Sequence, residues 1–103
     1  IDIQINEPKI ESMFNKHRCQ FPTIKNKELI DKCKDIENMI LKKYNLNKTK
    51  NFLIYNQLMK GVFMLSNCYP ICKSNYILKI SGIWENETDY GLSFKFININ
   101  RQL

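Results

Sequence analysis

The sequence predicts an α+β domain in which helices pack on a small antiparallel sheet that carries a C-terminal β-hairpin. Two stretches and one bulk property support this. Residues Tyr76–Ile99 alternate apolar and polar side chains on either side of a short polar loop, Glu85 to Asp89, the period-2 pattern of two half-buried strands. Residues Lys27–Tyr44 place Leu29, Cys33, Ile36, Ile40 and Tyr44 on one helical stripe, widened by Ile30 and Leu41. The chain has 103 residues, 44% of them apolar, enough for one domain with a real core.

In chain order, Ile1, Ile3 and Ile5 alternate with Asp2, Gln4 and Asn6, which reads as a short strand. Asn6-Glu7-Pro8 has the form of a helix start, and Ile10, Met13, Phe14 and His17 follow at helical spacing. A first helix is therefore expected to run to about Arg18, ahead of Pro22. Asn26 is placed to cap the Lys27–Tyr44 helix. Lys42 and Lys43 suit its C-terminal end, and Asn45 or Asn47 can take a left-handed turn after it. Phe52–Leu65 is apolar nearly all round and has few β-branched residues, so a buried helix is expected there. As two strands it would break at Lys60-Gly61. Asn67–Asn75, with Pro70, reads as a loop. The C-terminal hairpin, centred on Glu87, sets Trp84 opposite Tyr90, Ile80 opposite Phe94 and Leu78 opposite Phe96 on a core face. Ile36, Ile40, Phe94 and Phe96 are expected to be buried.

Composition bounds the function. With 16 basic and 10 acidic residues the formal charge is +6. That balance favours nucleic acid, phosphate-bearing surfaces or acidic proteins as partners. Asn, Ile and Lys dominate and Ala is absent, as in an AT-rich coding sequence from a parasite, protist or virus. No apolar run approaches the roughly 18 residues of a membrane span, and no secretory signal is read. The chain starts at Ile1, as a mature product or an excised domain would. Localisation stays open, with intracellular favoured over secreted.

No constellation nominates a catalyst or a cofactor, and an enzyme is not expected. His17 is the single histidine, and no nucleophile or carboxylate is placed to converge on it. The glycines, Gly61, Gly82 and Gly91, stand alone and form no phosphate loop. Of the four cysteines, Cys33 lies on the apolar stripe and is expected to be a buried thiol. His17, Cys19, Cys68 and Cys72 do not have zinc-finger spacing. A disulfide involving Cys68 or Cys72 fits a secreted chain better. Asn47-Lys48-Thr49 and Asn86-Glu87-Thr88 are glycosylation sequons, but about one is expected by chance in so Asn-rich a chain. Glu85, Glu87 and Asp89 form an exposed polar turn.

The hairpin carries the functional expectation. Its second face sets Lys79 directly opposite Lys95, a like-charge pair that a negative ligand would relieve. Ser81 and Ser93 share that face, Lys73 precedes it and Arg101 follows it. Trp84 and Tyr90 flank the loop, where rings can stack on bases, as single-stranded nucleic-acid binders do. Burial in the core is the competing role for Trp84. The Gly82-Ile-Trp-Glu85 and Gly91-Leu-Ser-Phe-Lys-Phe96 segments, about 25 of the 103 residues, resemble a C-terminal hairpin in single-stranded-DNA-binding-like proteins of large DNA viruses. The expected function is non-catalytic binding of single-stranded nucleic acid through Lys73, Lys79, Lys95, Arg101, Trp84 and Tyr90. The alternative is a secreted, disulfide-bonded effector that binds a host or partner protein.

Overall fold

The computed structural model describes residues 1–13, 16–44, 47–65 and 76–98. Their element order is β1 (Asp2–Ile3), β2 (Lys9–Met13), β3 (Lys16–Gln20), a 3₁₀ turn (Ile24–Asn26), α1 (Lys27–Tyr44), β4 (Thr49–Asn51), α2 (Leu53–Met59), β5 (Val62–Leu65), β6 (Tyr76–Glu85) and β7 (Asp89–Asn98). The α+β class stands as read, but the sheet is larger than expected. It has seven strands in the order β1-β6-β7-β5-β3-β2, with β4 also on β7. It is also mixed, because β4 and β5 both run parallel to β7.

The expected first helix is a β-hairpin. Strands β2 and β3 pair antiparallel, with Ile10 opposite Cys19, and β3 continues the sheet onto β5 with Cys19 opposite Phe63. Ile10 fits a helical period, but a helix ending near Arg18 would leave Cys19 out of register with the core. As a strand residue Cys19 is fully buried. Glu11 and Arg18 face each other across the hairpin and form an ion pair, a cross-strand match that also favours the ladder.

Phe52–Leu65 divides at Lys60-Gly61 into a two-turn helix and a strand, so it is neither one helix nor two strands. Gly61 makes that division possible. Its φ is +71°, and an added Cβ would lie 2.8 Å from the Phe21 carbonyl oxygen, while its own carbonyl accepts from Phe21 N–H.

Helix α1 has the bounds that its periodicity predicts, but its buried stripe is Ile30, Cys33, Glu37 and Leu41. Ile36 and Ile40 are half-buried and Tyr44 is 57% exposed, a rotation of the stripe toward the i+4 series from Cys33. Asn26 does not cap the helix. It is buried, accepts from Asn6 N–H at 2.7 Å and donates to the Asn6 and Pro22 carbonyls, clipping the β1–β2 connection to the 3₁₀ turn. The left-handed non-glycine residue among those described is Glu7, φ 53°, not Asn47. Asn45 lies outside the described residues.

Both helices cover one face of the sheet. Phe63, Tyr76, Leu78, Tyr90, Leu92 and Phe96 are buried on it, and Phe63 stacks on Phe96 at 4.2 Å. At the helix–helix contact lies a buried carboxylate. Glu37 of α1 accepts the Ile54 N–H at 2.9 Å and the Tyr55 N–H at 3.0 Å. These are first-turn donors of α2, whose N-cap Phe52 has no side-chain oxygen to offer. The cap is therefore supplied from another helix. Burial raises the Glu37 carboxyl above its ordinary 4.5, and the two backbone hydrogen bonds only partly offset it. Lys34, one turn earlier, lies 4.5 Å over the Tyr55 ring and ties the same helices.

Candidate nucleic-acid interface

Strand alternation decides what the face away from the helices presents. The β6–β7 register pairs Leu78 with Phe96 and Ile80 with Phe94 on the helix side, and Lys79 with Lys95 on the other. This part of the hairpin matches its sequence reading. Lys79 and Lys95 are both exposed, and no ion pair to either is formed among the described residues. Their Cα atoms are roughly 4.5–5.5 Å apart, as for any directly opposed antiparallel pair.

Beyond Ile80 the register shifts. Gly82 pairs with Ser93, Ile83 with Leu92, Trp84 with Gly91 and Glu85 with Tyr90. Ser81 is the extra residue of a β-bulge, and its hydroxyl donates to the Ser93 carbonyl at 3.2 Å. A bulge moves every later side chain of its strand to the opposite face. Trp84 therefore does not face Tyr90 in the core. It sits half-buried on the lysine face, its ring laid on Gly91. Only glycine permits this seat, since an added Cβ would lie 2.9 Å from the indole Cζ2.

Tyr90 must be corrected as a stacking residue. It is fully buried, and its hydroxyl donates to the Leu41 carbonyl at 2.9 Å, anchoring α1 to the hairpin. Phe96 is buried as expected, whereas Phe94 is half-buried. Lys73 and Arg101 lie outside the described residues, as do Cys68, Cys72 and the Asn67–Asn75 loop. The loop between β6 and β7 is shorter than the five residues expected. Asn86 Oδ1 accepts the Thr88 and Asp89 N–H groups, the local turn chemistry that asparagine favours.

Two residues that sequence reasoning did not nominate join this face. Arg18 and Met64 are opposed across β3 and β5, and Met64 is 44% exposed. Gln57 of α2, on the helix side, lines the gap between β5 and β7 together with Met64 and Lys95. Strand pairing between distant segments brings Arg18 and Met64 together.

The buried titratable groups lie elsewhere. Cys19 and Cys33 are free, buried thiols. Burial pushes Cys19 up to about 11 and also raises Cys33, so neither is a ready nucleophile. The Tyr76 hydroxyl beside Cys19 is raised by the same burial. His17 Nδ1 lies 3.0 Å from Ser12 Oγ. Among the described residues no group of three His, Cys, Asp or Glu side chains is arranged to hold a metal, and no helix is long and apolar enough to cross a membrane. Comparison of the chain with protein-family models, curated proteins and solved structures finds no match.

Proposed function

We propose that the helix-free face of the sheet binds single-stranded nucleic acid without catalysis. The observation that carries this reading is the bulge at Ser81, which puts Trp84 on the same face as the opposed Lys79 and Lys95. Two unneutralised cations give a phosphate backbone a place to bind. An accessible indole about four residues along β7, on the order of 13 Å away, gives a base a surface to stack on. The net charge of +6 draws the strand in. The alternative, a disulfide-bonded effector that binds a protein, is less well supported. Cys19 and Cys33 are free in the core, which leaves Cys68 and Cys72 as the pair for that framework.

The test is a salt titration of binding to a single-stranded oligonucleotide. Lys79→Gln with Lys95→Gln should weaken binding. The slope of log affinity against log salt should become shallower by about 0.7 for each phosphate that is no longer neutralised. Trp84 fluorescence should be quenched on binding by the wild type. An unchanged affinity and slope would remove this face as the site. Absence of any binding at low salt would overturn the function.

A further inference from the structure

We infer that the cavity between β5 and β7 seats one base of the bound strand, and that it prefers a small base carrying an exocyclic amino group, cytosine first. This rests on the proposed function and names what the site reads.

The cavity arises from the way β7 is flanked. Strand β4 pairs with it at Asp89–Gly91, and β5 meets it only at Phe96. Helix α2 is inserted between those two strands, so residues 92–95 of β7 have no ladder partner on that side among the described residues. The opening there is a cavity of about 200 Å³ lined by Gln57, Phe63, Met64, Phe94, Lys95 and Phe96. That is below the roughly 300 Å³ at which drug-sized pockets begin, and it suits one flat ring. Its accessible ring is Phe94, half-buried, which meets Phe96 edge-on at 5.7 Å, while Phe96 and Phe63 are buried and stacked on each other. Met64 forms an exposed, adaptable lip.

The polar groups give the cavity a sense of direction. Gln57 Nε2 donates to the Val62 carbonyl at 2.6 Å. That bond fixes the amide and leaves Oε1 as the acceptor that this lining residue can offer. An acceptor matches the amino donor of cytosine or adenine and opposes the O4 acceptor of thymine. Cavity size then favours the single ring. Lys95 belongs both to the lining and to the opposed lysine pair. A nucleotide with its base in the cavity therefore has its phosphate at the cations already assigned to the backbone.

The experiment compares three probes of equal length on the full chain: oligo-dC, oligo-dT and a base-free deoxyribose-phosphate strand. The wild type should bind oligo-dC roughly tenfold more tightly than the base-free strand, within the range that one stacked base contributes, with oligo-dT in between. Gln57→Leu should bring oligo-dC down to oligo-dT. Met64→Trp, a change at an exposed side chain that fills the mouth, should abolish the advantage of oligo-dC over oligo-dT even if Gln57→Leu folds poorly, and leave both only what stacking on Trp84 gives over the base-free strand. Lys79→Gln, outside the cavity lining, should weaken all three probes and preserve their ratios. Equal binding of oligo-dC and the base-free strand by the wild type, or a dC preference that survives Gln57→Leu, overturns the base seat while leaving the phosphate face intact. If no strand binds, the proposed function fails. Cytidine monophosphate is then titrated against the Gln57 amide and Phe94 ring resonances. A local shift upholds the seat, and its absence overturns it too.

Discussion

The two faces of one sheet use the same strands to opposite ends. The helix-covered face is closed over aromatic rings, and its charged group, Glu37, has both oxygens occupied by backbone donors. The open face carries Lys79 and Lys95 without ion-pair partners among the described residues, and a tryptophan resting on a glycine. A buried charge is tolerated only when it is paired or hydrogen-bonded, and Glu37 meets that condition. Water answers the lysines on the outer face. The difference separates groups that hold the fold from groups free to meet a ligand. It also shows that a single bulge residue, Ser81, decides to which set Trp84 belongs.

The strongest test of this contrast is at Glu37. Glu37→Ala leaves the Ile54 and Tyr55 N–H groups without partners between the two helices and should cost about 2–4 kcal/mol. Glu37→Gln keeps one acceptor and should cost about half as much. The pH dependence gives a second readout. Because the folded-state value lies above the ordinary 4.5, the folded chain holds a proton that the unfolded chain has already lost. The contribution of Glu37 is therefore most favourable below about 4.5 and declines as pH rises through its raised folded value. Denaturant titrations from acid toward neutrality should show this decline in the wild type, and Glu37→Gln should lack it. A variant as stable as the wild type would mean that the buried carboxylate caps nothing.

Legibility in the sequence followed the range of the interactions. The α1 bounds and the Leu78–Phe96, Lys79–Lys95 and Ile80–Phe94 pairs were readable, because a helical stripe and a hairpin are local patterns. The β2–β3 hairpin was not. Its five-residue strands carry too few alternations to outweigh Ile10 and His17 at helical spacing, and β3 is fixed by pairing with β5, more than forty residues away. The Ser81 bulge is marked in the sequence only by Gly82 inside the strand and by Ile83, out of phase with Leu78 and Ile80, signs that the overall alternation outweighs. Of the candidate site, Lys79 and Lys95 were placed correctly. The alternation puts Trp84 and Tyr90 together on the core face. Tyr90 is indeed core and so is not the accessible stacking ring expected of it, whereas Trp84 lies on the other face. Glu37 left a trace in the stripe itself. It sits four residues after Cys33 and four before Leu41, and Phe52 begins α2 without a capping oxygen.

Gly91→Ala sharpens the comparison at the residue on which the outer-face indole rests. The added methyl would meet Trp84 Cζ2 at 2.9 Å and Nε1 at 3.0 Å, and the backbone beneath it belongs to a buried central strand. Either the indole lifts off or β7 is displaced. The expected cost is about 1–3 kcal/mol, the scale of overpacking. Lifting the ring toward water should shift Trp84 emission to longer wavelength. A blue shift would show the indole driven inward instead, and the bulge would then not define the outer face.

The smallest expected effect concerns the lysine pair and has the opposite sign. Two ammonium groups about 7 Å apart in water repel by roughly 0.6 kcal/mol, and flexible stems let them splay to reduce even that. Lys79→Gln should therefore leave stability unchanged or raise it by a few tenths of a kcal/mol, within the range for cross-strand like charges. Lys95→Gln should do the same. Each single change removes the whole repulsion, so the double variant should gain no more than either one. The gain should be present at low salt and vanish near 1 M, where screening acts over about 3 Å. A loss of stability in the single variants would give a different answer. It would show that the lysine stems pack on Ile77, Ile97 or Met64, and the outer face would then belong to the fold as much as the inner one does.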